Sequence, residues 1–150
     1  MIRAKLTVSR KGDAGRHVDK IVKATQGQKS VKVGLPKGKA AKNVIEYAIY
    51  NHEGTVHIPR RPFITVAMFK GRAEIRGVMR TIARGVVEGK ADLRIGMEKL
   101  GLKGAGLIQS QISSNMNPPN KASTVRQKGS STTLIDSGRM RQSITHEVEG

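Results

Sequence analysis

Apolar and polar positions alternate or recur at helical spacing along most of this chain. Ala4, Leu6 and Val8 alternate with polar neighbours, which predicts a half-buried strand over about 2–9 that stops at Gly12. Asp13 is placed to cap a helix over about 14–25, with Val18, Ile21 and Val22 on one face. Alternation returns at Val31, Val33 and Leu35 and stops at Pro36-Lys37-Gly38, so a second strand is expected over 30–35. Ala41, Val44, Ile45 and Ala48 mark the inner face of a helix over about 40–52. Ile75, Val78, Met79, Ile82 and Val86 recur at spacings of three and four, predicting a long helix over 64–88. Leu93, Met97, Leu100, Leu107 and Ile112 predict a second over 92–115. Gly96, Gly101, Gly104 and Gly106 each cost that helix up to about 1 kcal/mol relative to Ala, so it either breaks near 101–106 or packs very closely on a neighbour, and a kink or break is the favoured expectation.

Two stretches interrupt these patterns. His52-Glu53-Gly54-Thr55-Val56-His57-Ile58-Pro59-Arg60-Arg61-Pro62-Phe63 is rich in turn residues and pinned by two prolines. Each proline lacks a backbone donor and pushes its predecessor to extended geometry, so the stretch reads as a loop or arm. Residues 117–133 are rich in Ser, Thr, Asn, Pro and Lys and read as one long loop, ordered only by partners because this composition builds no core. Asp136 or Ser137 is placed to cap a short helical turn. Ile144, His146 and Val148 alternate as a last strand over 143–149. The expected fold is α+β in a single domain over 1–150: a small mixed or antiparallel sheet against two long helices, with long projecting loops.

Charge changes the picture. The chain has 28 Lys and Arg against 11 Asp and Glu, a net charge of +17. Twelve of the basic residues fall in the first 45 positions against Asp13 and Asp19 alone, a balance of +10. Lys29, Lys32, Lys37, Lys39 and Lys42 are the candidates for a polyanion-facing surface, with DNA or an acidic protein as partner. Aromatic residues are only 3%, with no Trp, so a base-stacking surface for single strands is excluded and any nucleic-acid contact is to phosphate. The absence of Cys excludes disulfides and thiolate metal sites. No apolar run approaches the length of a membrane span, and Met1 to Leu6 holds no signal core, so a cytosolic, soluble product is expected.

The chemical templates fail one by one. His52 and His57 are five residues apart, whereas a zincin helix needs four, and Gly54 and Pro59 argue against a helix there. Ser137, His146 and Asp136 are close in sequence but lie in no nucleophile elbow. Gly101-Leu102-Lys103-Gly104-Ala105-Gly106 lacks the spacing and the closing Lys-Ser/Thr of a phosphate loop. No catalytic residue, metal or cofactor is therefore expected.

A family resemblance rests on residues far apart in the chain. The run Glu46, Ala48, His52-Glu53-Gly54-Thr55 and Ile58-Pro59-Arg60-Arg61-Pro62-Phe63 is its first half. Pro118-Pro119, Thr124-Val125-Arg126, Lys128-Gly129 and Leu134-Ile135-Asp136-Ser137-Gly138, then Met140-Arg141 and Ser143-Ile144, are its second. In order and spacing, over about residues 30–148, the chain resembles the small neck or tail-completion proteins of the tailed-bacteriophage head–tail junction, similar to the minor tail protein Z of lambdoid phages. The first 30 residues match only in being a strand and a helix. The family more often carries a bulky residue between the positions of Glu53 and Gly54 and a small one where Arg60 stands, which points to a loop shorter by one residue here.

The resemblance implies a virion structural protein with no reaction: a tail-completion or tail-terminator subunit in a ring, commonly sixfold, that joins tail tube to head connector. It implies as partners further copies of itself, connector, tail-tube or sheath proteins, and genomic DNA passing through the ring. A head-closure or collar role in the same neck, and a free-standing sequence-nonspecific DNA-binding protein, are the alternatives. Ring contacts join two different patches. His52, Glu53, His57, Arg60, Arg61, Phe63, Leu134, Asp136, Met140 and Arg141 are the expected interface residues, with Arg60, Arg61 and Phe63 as anchors because Arg and aromatic residues concentrate interface energy.

Overall fold

A computed structural model describes residues 13–26 and 30–149 of the chain. The strand expected over 2–9, its stop at Gly12, and Lys29 lie outside the described residues. The element order is α1 (Asp13–Thr25), β1 (Ser30–Gly34), α2 (Lys42–Glu53), α3 (Phe63–Val87), α4 (Leu93–Ser113), α5 (Ala122–Lys128), α6 (Arg139–Gln142) and β2 (Thr145–Glu149). The class is α+β, with β1 and β2 paired as a two-stranded antiparallel sheet. Val31 pairs with Val148 and Val33 with His146, so both alternating runs meet in register.

The two long helices form an antiparallel hairpin. Gly89, at φ 68°, turns the chain between them, and Asp92 caps α4 by accepting from the Ile95 backbone N–H at 3.1 Å. Leu107 packs over Gly71, Ile82 packs over Gly96, and Glu74 pairs with Lys103 across the same seam. On its other side α4 carries the sheet: the His146 ring lies over Gly101 and Val33 lies over Gly104.

These approaches correct the expected kink. α4 is one continuous helix through 101–106, and Gly96, Gly101 and Gly104 are buried under neighbours that a methyl group would displace. The weak helix formers are offset by close packing on two sides.

The core gathers Val44 and Ala48 from α2, Phe63 and Ala67 from α3, Ala105, Ile108 and Ile112 from α4, and Met116, Leu134, Met140 and Ile144 from the C-terminal third. Burying each large apolar side chain contributes about 1.5–3 kcal/mol. Several inner-face expectations do not hold. Val18 and Val22 on α1 and Met79 on α3 are exposed, and Ala41 lies at the exposed start of α2. α1 instead meets the turn beyond α3 by a polar contact, with His17 Nε2 2.6 Å from the Val87 carbonyl.

Residues 117–133 also differ from expectation. They contain α5, which ends on Gly129 at φ 66°, and they are tied to the rest of the fold. The Thr133 hydroxyl donates to the Met116 carbonyl at 3.1 Å, closing the segment at its base. α6 begins at Gly138, in the left-handed region, with no side-chain cap, so neither Asp136 nor Ser137 caps it.

Candidate functional site

The two stretches singled out in the sequence face each other across one cleft of about 590 Å³. One wall is Thr55 to Pro59, the other is Pro118 to Lys121 with Thr124, and Arg61, Lys128 and Thr133 lie between them.

The first wall is a knob folded back on its own stem. Gly54 ends α2 at φ 82°, and a Cβ there would stand 3.0 Å from the Arg60 backbone nitrogen, so only glycine suits this position. Thr55 holds the turn: its hydroxyl accepts from the backbone of Ile58 at 3.0 Å and of His57 at 3.2 Å, while its own N–H donates to the Ile58 carbonyl at 2.8 Å. The Arg61 N–H donates to the Asn51 carbonyl at 2.7 Å, which brings the chain back to α2 before α3 starts. The tip is apolar, and Val56 is 97% exposed.

Arg61 joins the two walls. Its side chain is buried, at 4% exposure. Nε donates to the Pro118 carbonyl at 2.9 Å, and Nη2 donates to the Pro119 carbonyl at 3.3 Å and to Asn120 Oδ1 at 3.5 Å. The Lys128 ammonium donates to the carbonyls of Thr132 at 3.4 Å and Thr133 at 3.5 Å. Neither cation has a carboxylate in ion-pairing distance among the described residues. Burial lowers the pKa of both; for Lys128 the distant Asp136 charge works the other way and Arg61 adds to the lowering. Carbonyl dipoles rather than counter-charges hold them, so the positive charge remains available to the cleft.

The structure corrects the expected anchors. Phe63 is 0% exposed and sits in the core, with the His52 ring edge-on to it at 5.1 Å. Leu134 and Met140 are core residues as well. Arg61 is an internal brace. None of these four is an exposed anchor; Arg61 and Phe63 only floor a cleft and a recess. Phe63 is drawn inward because it opens α3 directly after the braced loop, on the face that packs against α4. Glu53, His57, Arg60, Asp136 and Arg141 remain exposed. His52 is half-buried, its Nδ1 has no hydrogen-bond partner, and its Nε2 lies 3.4 Å from the Thr65 hydroxyl and 3.7 Å from Glu53. Burial lowers the His52 pKa below its ordinary value, partly opposed by Glu53.

The surface cations rearrange in the same way. Lys32 pairs with Glu149 at 2.6 Å, Lys39 with Glu147 at 3.1 Å and Lys42 with Glu46 at 3.8 Å. Three of the lysines expected to face a polyanion are thus partnered within the chain, while Lys37 is exposed. Asn120 and Thr133 were not singled out from the sequence, and Lys128 entered only as part of the second signature. Asn120 and Thr133 bond to the carbonyls of Thr132 and Met116, and no spacing signals that. Among the described residues no group of His, Cys, Asp or Glu is arranged to hold a metal ion, and no helix is long and apolar enough to cross a membrane. No protein-family model, curated protein or solved structure matches the chain.

Proposed function

We propose that this chain is a structural subunit of a tailed-bacteriophage neck, a tail-completion or tail-terminator protein that assembles with copies of itself into a ring joining tail tube to head connector. The observation that carries this reading is the junction of the two signature stretches. Residues 52–63 and 117–133 are remote in sequence, yet Arg61 braces them into one shaped surface with a projecting tip. A shared surface of this kind explains why both stretches belong to one pattern.

Two unlike surface features support this reading. Rings close through unlike patches, one on each side of the subunit. The knob at Val56 projects, and a separate recess of about 310 Å³ is lined mostly by apolar residues, Leu35, Ile45, Ala48, Ile49, Phe63 and Ile64, with His52 and Glu53 beside them. Ile49 in that lining is exposed, and with Val56 it replaces Arg61 and Phe63 as an anchor of the proposed contact.

Val56→Asp and Ile49→Asp test this. Both positions are exposed, so each variant is expected to keep the thermal stability of the wild type while losing incorporation into particles and the joining of heads to tails. Two variants that both join heads to tails normally would overturn the assignment of the contact; absence of the wild-type chain from finished particles would overturn the function. Free-standing DNA binding is the second reading, favoured by the charge of +17, and it predicts function without assembly partners.

A further inference from the structure

The strongest uncompensated charge among the described residues lies on α3. Arg72, Arg76, Arg80 and Arg84 stand four residues apart and all four are exposed. Steps of four advance about 6 Å along a helix and drift slowly around it, so the four guanidiniums form a tilted row about 18 Å long. The buried face of α3 is set by Phe63, Ala67, Gly71 and Val86, and at about 100° per residue the arginine row crosses the opposite side.

Among the described residues, none of the α3 carboxylates lies on that side. The acidic residue within α3, Glu74, turns to α4 and pairs with Lys103, and Glu88 just beyond the helix pairs with Lys90 at 3.0 Å. None of the four arginines forms an ion pair among the described residues; Arg72 lies over the Phe69 ring at 4.2 Å. The contrast with Lys32, Lys39 and Lys42 is direct, since each of those has a glutamate beside it.

We infer that the α3 arginine row is a docking surface for the phosphate backbone of duplex DNA. Guanidinium forks bind phosphate oxygens in pairs, and an evenly spaced rigid row suits a backbone whose charges recur every 3.4 Å or so along each strand. Single strands are disfavoured because Phe69 is the one aromatic ring on this face, and a single ring gives no platform for successive bases. An acidic protein would have to present a matching regular row of carboxylates. Contacts of this kind read no base sequence. The surface does not depend on ring assembly. A chain that binds DNA through this row but never enters particles would overturn the function proposed above and leave this surface standing, and the converse holds too.

The test is fluorescence anisotropy of the full chain on a labelled duplex, across a salt titration. Each phosphate contact contributes about 0.9 to the slope of log affinity against log salt. The variant R72Q/R76Q/R80Q/R84Q is expected to lose about 3.6 from that slope, and R72Q/R76Q or R80Q/R84Q alone about 1.8 each. K32Q/K39Q/K42Q is expected to leave the slope unchanged. Circular dichroism melts identify any variant that fails to fold, and the two double variants keep the test decisive if the quadruple one does. Wild-type slopes in the arginine variants, an equal loss in the lysine variant, or equal competition by polyglutamate at matched charge would each overturn the inference.

Discussion

Replacing Arg61 with Ala should loosen the 117–133 segment before anything else in the molecule. The side chain donates three hydrogen bonds, of which that to the Pro118 carbonyl is short, at 2.9 Å, and those to Pro119 and Asn120 are long, at 3.3 and 3.5 Å. A hydrogen bond from a charged donor contributes about 1.5–3 kcal/mol, and the two long ones add less. Against this stands the cost of keeping a guanidinium buried near Lys128, visible in the lowered pKa of both groups. The net loss should be about 2–3 kcal/mol, or about 4–12 °C in Tm for a chain of this size. Urea unfolding measures the first. Limited trypsin digestion locates it, because Lys121, Arg126 and Lys128 all lie in the segment and should be cut first in the variant. Arg61→Lys keeps the charge but not the fork, so it should fall between the two. A variant within about 0.5 kcal/mol of wild type and cut no faster at these sites would refute the brace.

Two further expectations follow from packing and burial. Gly101→Ala should destabilise by about 1–3 kcal/mol, because the new methyl collides with the His146 ring, which is itself held 2.8 Å from Glu98. Gly106→Ala meets open space and should stabilise by about 0.5–1 kcal/mol, so a urea series in which the two variants behave alike would contradict the packing of α4. The second concerns acid. The folded-state pKa of His52 is lowered below 6.5 by burial, so the unfolded chain takes up the proton first. Its contribution is present in full above pH 6.5 and is lost as pH falls from there to the folded pKa. Stability measured from pH 7 downward should fall less steeply in His52→Asn than in wild type, and equal slopes would remove His52 from the account.

What was legible in the sequence is what periodicity carries. Val31 and Val33, and His146 and Val148, alternate because one face of each strand lies on α4; the pairing of the two strands and its register come from the structure. The long helices lie within a residue or two of their expected limits. α5 was illegible because Ala122–Lys128 holds a single large apolar residue, Val125, and the segment around it is held by bonds from Arg61 and Thr133 to remote carbonyls. A break was favoured over close packing for the α4 glycines because sequence shows the loss of propensity but not the neighbours packed over Gly96, Gly101 and Gly104. Arg61 and Phe63 read as surface anchors from residue type alone, whereas the turn at Gly54 and Thr55 returns the chain to Asn51 and aims both inward. Charge misled for a related reason: the lysines are densest before residue 45, but Glu46, Glu147 and Glu149 fold back onto them, and the α3 arginines are left open.

Cryo-electron microscopy of finished particles whose genome encodes this chain tests the central proposal most directly. A closed ring of this fold is expected between head connector and tail tube, with the Val56 knob of each copy against the next. Particles with complete necks that hold no copy of the chain would contradict it.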